Sequence, residues 1–145
     1  MNKLIVSSSP HIASKDTTQR IMLDVIIALM PTAICGSLLY GLGAVLVILT
    51  CILTSVLSEV IFNLIIKKKQ TVSDLSAVVT GLILALNLRA DAALWQCALG
   101  SVFAIVVVKC LFGGLGCNFA NPAITGRIFM MLCFSATVGG GAALV

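Results

Sequence analysis

Charge is what this chain of 145 residues has least of: Asp, Glu, Lys and Arg make up 10% of it. Soluble domains carry about 25%. Aromatics are sparse too, with one tryptophan and one tyrosine, and His11 is the single histidine. These shortages exclude an ordinary soluble globule, a disordered chain and a nucleic-acid-binding domain. The six cysteines, Cys35, Cys51, Cys97, Cys110, Cys117 and Cys133, show no CxxC or other paired spacing. A disulfide scaffold is therefore not expected, and each cysteine reads as a small apolar packing residue. Paired carboxylates, a Ser/His/Asp set and zinc-ligand spacing are all missing. Residues 1–16 hold no apolar stretch before a small-residue cleavage site, so the first apolar run is expected to stay in the membrane as an anchor.

What is present is apolar residue: 60% of the chain, with a mean hydropathy of +1.18. At about 20 residues per span, this length holds four or five membrane segments. The expected fold is all-α and polytopic. Residues 1–20 form an N-terminal segment and residues 21–145 a membrane domain. The apolar runs are Ile21–Gly41, Gly43–Ile66, Leu75–Leu88, Ala92–Leu111 and Pro122–Val138. Pro31 is expected to kink the first of them. The third run covers roughly 21 Å as a helix, against about 30 Å of hydrocarbon. It reads as a half-helix, a re-entrant segment or a span lengthened by polar ends, with Ser73 or Asp74 as its N-cap. Short interrupted helices line midplane sites in transporters. Trp95 is placed as an interfacial anchor.

Lys3, Lys15 and Arg20 precede the first span, and Lys67, Lys68 and Lys69 follow the second. Two spans return the chain to one side, so both clusters read as cytoplasmic. Lys109 fits that side only if the third and fourth runs make an even number of crossings.

Two carboxylates fall within apolar runs. Asp24 is either an i,i+4 partner of Arg20 at headgroup level or a carboxylate on an ion path. Glu59 lies about 12 Å of helix before Lys67. It reads as an ion-path carboxylate or as an interhelical hydrogen-bonding residue. The glycine-rich break from Phe112 to Asn121 carries Gly113, Gly114 and Gly116, which permit positive φ, and the amides Asn118 and Asn121. Asn121 suits the N-cap of a helix opened by Pro122. That N-terminus, with Arg127 in its second turn, favours an anion or a polar ring edge. A tight interhelical turn with a capped helix explains the same residues. The glycine pattern is not a dinucleotide fingerprint, because no βαβ unit surrounds it.

Three ordered stretches resemble the RnfD/NqrB family. They are Ser9-Pro-His-Ile12 with Ile21–Pro31, then Ser73–Leu88, then Phe112–Ala123 with its GGLG and NPA elements. The short N-terminal segment is more similar to RnfD than to NqrB. The resemblance implies a subunit, not catalytic alone, of a translocase in a bacterial or archaeal plasma (inner) membrane, with its N-terminus cytoplasmic. The Rnf complex passes electrons between ferredoxin and NAD and moves Na⁺ or H⁺. The implied fold is two inverted repeats of about five helices, similar to urea transporters, of which this chain resembles the first. The implied cofactors are FMN, linked covalently to a threonine of an SGAT-type motif, and riboflavin. Ser135-Ala-Thr137 does not match that motif, so the FMN threonine is expected beyond residue 145. Arg89 after Leu88 departs from the prolines usual in the family. On this reading Ser76, Thr80, Gly81, Gly113, Gly114, Asn118 and Asn121 line a polar cavity for a flavin ring or an ion, and Asp24 and Glu59 serve cation passage. The partners are other Rnf subunits and the lipid bilayer. A urea-transporter-like channel and a cofactor-free structural subunit are the alternatives.

Overall fold

The structure, a computed structural model, describes residues 17–67, 74–114, 117–118 and 120–135. Lys3, His11, Lys15, Lys68, Lys69, Ser73, Gly116 and Thr137 lie outside the described residues. Five helical elements follow one another: α1 (Thr18–Tyr40), α2 (Leu42–Ile66), α3 (Ser76–Leu86), α4 (Leu94–Val102, continuing as a π-helix over Phe103–Cys110) and α5 (Pro122–Cys133). The described residues contain no strand.

The helices are built inside out compared with a soluble bundle. On α2 the buried positions include Cys51, Ser55, Ser58, Glu59 and Asn63, a polar stripe at helical spacing. Its large apolar side chains Leu46, Leu49, Leu53, Leu57 and Leu64 are exposed. Only Ala33 is buried along the 23 residues of α1, which Pro31 does not interrupt. Soluble monomers rarely expose apolar patches beyond a few hundred Å². Largely apolar helices of 23 and 25 residues with bare outer faces are long enough to cross a bilayer. The chain is an all-α membrane protein.

Side-chain contacts set the helix directions. Gly81 of α3 meets Cys51 and Ser55 of α2, while Ser76 at the start of α3 reaches the Glu59 level through Lys109. The two helices are therefore antiparallel. Cys51 lies beside Cys97, and Glu59 beside Lys109, so α4 runs parallel to α2. Trp95 meets Phe134 edge-on at 5.2 Å, and Phe103 stacks on Phe129 at 4.1 Å. That makes α5 antiparallel to α4.

Small residues allow close approach, as membrane helices require. A Cβ on Gly81 would stand 2.8 Å from the Cys51 carbonyl oxygen, and one on Gly126 would stand 2.9 Å from Ala104 Cβ. Gly41, at φ +70°, is the single residue between α1 and α2. The loop after α3 comes back to this hairpin: a Cβ on Gly43 would stand 2.6 Å from the Ala90 carbonyl oxygen. From Gly43 to Glu59, α2 rises about 24 Å. Short as it is, α3 with its exit loop covers that depth.

Three local expectations change. The N-cap of α3 is Leu75 in the left-handed region, with no side-chain cap bond. Asp74 does not cap the helix, because Leu75 at φ 59° turns the chain sharply one residue before it. The fourth run is not a uniform α-helix but widens to π at Phe103. The first helix begins at Thr18, whose neighbour Thr17 caps it by accepting from the Arg20 amide at 3.3 Å.

Candidate functional site: a buried ion pair beside a polar cavity

The polar stripe of α2 faces the π segment and the start of α3. There Lys109 Nζ donates to Glu59 Oε1 at 2.7 Å and to Ser76 Oγ at 2.7 Å. The side chains of Lys109 and Glu59 are 3% and 1% exposed. An ion pair this far from water carries a large desolvation cost, offset only by good geometry and further hydrogen bonds. Charges within membrane helices usually mark ion or substrate pathways. The π-helix that carries Lys109 is itself a rare element, frequent at functional sites. Thr80, one turn after Ser76, donates to the Ser76 carbonyl at 2.9 Å.

Next to the pair is a cavity of about 310 Å³, walled by Met22, Ser76, Thr80, Lys109, Asn118 and Asn121 together with Val79, Ile83, Ala120 and Pro122. This size is at the lower end for small-molecule sites. Two helix N-termini open on it, those of α3 at Ser76 and of α5 at Pro122. Asn121 caps α5 by accepting from the Ala123 amide at 3.0 Å. The two positive dipole ends make the cavity attractive to negative charge, and Lys109, whose charge is balanced by Glu59, adds N–H donors to its wall. Asn118 Oδ1 is buried with no hydrogen-bond partner. The walls thus offer a cationic donor, an open acceptor and apolar faces. That set fits the mixed polar edge and flat faces of a flavin ring.

Four of the sequence-selected residues, Ser76, Thr80, Asn118 and Asn121, meet at this cavity. Glu59 stands behind it, joined through Lys109. Gly81, Gly113 and Gly114 are not on its wall. Gly81 sits in the α2–α3 contact, where any side chain would strike α2 backbone. Gly113 and Gly114, at φ +112° and +99°, close the π-helix: their amides donate to the Cys110 and Lys109 carbonyls at 3.2 and 3.0 Å. Asp24 is exposed on α1, two residues beyond Met22 of the cavity wall. Arg127 is partly buried in α5, and its Nη1 has no hydrogen-bond partner.

The residue that sequence reasoning missed is Lys109. Its place near the end of an apolar run makes it a topology marker at a membrane face, yet it is buried against Glu59. A signal exists in the sequence: the run Ala92–Leu111 holds one cation and Gly43–Ile66 one anion, and charges inside membrane bundles pair with one another. The buried cysteines Cys51 and Cys97 place their thiols in hydrogen-bond contact, beside the hydroxyl of Ser101.

The fold and site define an all-α membrane protein with a charge pair inside its helices and a polar cavity beside it. The sequence model of the NQR2, RnfD, RnfE family matches residues 5–143, and the chain belongs to that family. It is 48% identical over 128 residues, 88% of its length, to the D component of the Na(+)-translocating ferredoxin:NAD(+) oxidoreductase complex of Acetobacterium woodii. It is 38% identical over 131 residues to the D component of the proton-translocating ferredoxin:NAD(+) oxidoreductase complex of Clostridium ljungdahlii, covering 90% of this chain. Over 132 residues, 89% of the chain, it is 37% identical to the D component of the ion-translocating oxidoreductase complex of Aliivibrio salmonicida. The chain spans 40%, 40% and 37% of the lengths of these three relatives.

Proposed function

We propose that this chain forms part of the RnfD component of an ion-translocating ferredoxin:NAD oxidoreductase, in a multi-subunit complex of the plasma membrane. One observation carries the reading: a buried carboxylate–ammonium pair abuts a cavity shaped for negative charge, in a chain from this family. The alternating helix directions favour five crossings. With the Arg20 and Lys67 ends on the cytoplasmic side, the Glu59–Lys109 pair and the cavity lie toward the cytoplasmic half of the bilayer.

The cavity is proposed to hold the polar edge of a flavin, with Lys109 donating, Asn118 accepting and Met22 and Pro122 against the ring. A bound flavin would supply one- and two-electron redox chemistry; the protein supplies position and field. The covalent FMN implied by the family resemblance needs an SGAT-type motif, and none occurs in these 145 residues. Glu59 is the proposed cation ligand and Asp24 the carboxylate at the mouth of the path. The relative from Acetobacterium woodii is named as Na⁺-translocating and is more similar to this chain than the proton-translocating relative above. Na⁺ is accordingly the proposed ion.

The test is cation uptake into vesicles containing the whole complex, driven by reduced ferredoxin with NAD as acceptor. Glu59→Gln is expected to lower Na⁺ taken up per electron at least about tenfold, the loss of one charge-assisted ligand being worth roughly 1.5–3 kcal/mol. Asp24→Asn is expected to raise the half-saturating Na⁺ concentration without abolishing uptake. Normal uptake per electron in Glu59→Gln would remove Glu59 from the path. A covalent flavin band from the full-length protein in a denaturing gel separates the redox component from a channel or a scaffold.

A further inference from the structure

We propose that Glu59 is a cation-exchange site whose resident cation is the ammonium of Lys109. A monovalent metal cation takes the carboxylate only when that ammonium swings into the cavity. The idea deepens the ion-path reading above and rests on it.

Four observations meet here. Lys109 Nζ occupies the position a metal cation would take, 2.7 Å from both Glu59 Oε1 and Ser76 Oγ. Those two oxygens, once vacated, are hard ligands of the kind an alkali cation prefers. Lys109 also forms part of the cavity wall, so its long flexible stem has space on one side. On the same wall, Asn118 Oδ1 is a buried acceptor with no hydrogen-bond partner in the protein; an amide oxygen has two acceptor sites, so one can receive the displaced ammonium while the other meets a ring edge. Finally, Lys109 sits on the π-helix, just before Gly113 and Gly114, where the backbone is already off its regular α register.

Charge accounting gives the exchange a condition. In the resting state Lys109 neutralises Glu59. After exchange the metal ion neutralises Glu59, and a full positive charge stands in a cavity that already faces two helix N-termini. That state is unfavourable until negative charge enters the cavity. Arrival of negative charge there draws Lys109 away and opens Glu59 to the cation. Its departure returns the ammonium and expels the ion.

The experiment is equilibrium binding of radioactive Na⁺ to the purified complex containing the full-length protein. Lys109→Gln removes the competing charge and keeps a hydrogen-bonding side chain. It is expected to tighten Na⁺ binding about 5–150-fold, the usual range for coupling between two ligands. Lys109→Arg holds the carboxylate with a two-pronged guanidinium and is expected to weaken binding. Glu59→Gln/Lys109→Gln, which leaves no lone buried charge, is expected to lose the site. Binding that is unchanged or weaker in Lys109→Gln, that tightens in Lys109→Arg, or that survives in the double variant overturns the proposal, as does the lack of a Glu59-dependent site in every form. If binding behaves as expected but Glu59→Gln still pumps normally, the exchange site stands and the ion-path reading falls.

Discussion

Lys109 shows how one side chain alters the meaning of several others. Glu59, read alone, is an isolated carboxylate about two turns inside the membrane. Joined to Lys109 and Ser76 it is the centre of a built site. Breaking the pair from one side leaves a lone buried charge, which costs about 3–5 kcal/mol. Lys109→Met is therefore expected to lower the unfolding temperature of the complex sharply, whereas Glu59→Gln/Lys109→Met is expected to recover most of the loss. Thermal unfolding in detergent measures both. A contrasting charge pair lies in the loop after α3, where Arg89 donates twice to Asp91, at 2.8 and 2.7 Å. These bonds hold the Asp91 carboxyl below its usual value of 3.8. Its contribution is thus present above that ordinary value and is lost as pH falls through the depressed one. Hydrogen exchange at the Ala92 amide, which donates to the Arg89 carbonyl at 3.2 Å, is expected to show constant protection around neutral pH and to lose it only in strong acid.

At the scale of elements, apolar runs located the helices well. The hairpin of α1 and α2 and the Asn121–Pro122 start of α5 were legible, because long apolar stretches and cap chemistry are local signals. The left-handed Leu75 and the π segment were not. Leucine disfavours the left-handed region that Leu75 adopts, and Phe103–Cys110 has the same apolar composition as an α-helix. Lys109 escaped because its partner is 50 residues away in sequence, and a lysine near a run's end is normally assigned to the headgroups. Glycine roles divided in the same way: their presence was legible, while whether each served a ligand, a turn or a helix contact depended on tertiary neighbours. Gly81→Ala forces α2 and α3 apart against backbone and is expected to cost about 1–3 kcal/mol. Asn121→Ala removes one cap bond from α5 and is expected to cost about 1 kcal/mol. Denaturation of the purified complex is expected to rank the two in that order.

The described helices alternate direction at every connection and keep the polar stripe of α2 inside, so the bilayer covers what water would reject. Its two chemistries, the buried pair and the electropositive cavity, share one wall and lie nearer one face than the other. The Gly41 connection has a consequence for how such a chain gets into a membrane. With one residue between α1 and α2, no polar loop has to be carried across the lipid. The two helices can leave the insertion machinery together as a folded pair, with the Arg20 and Lys67 ends on one and the same side of the bilayer. Chains carrying α1 alone, with a long polar spacer after Tyr40 that brings Cys35 clear of the ribosome, are then expected to remain reachable by membrane-impermeant thiol reagents at Cys35. Chains with the same spacer placed after Lys67 are expected to be protected in a single step.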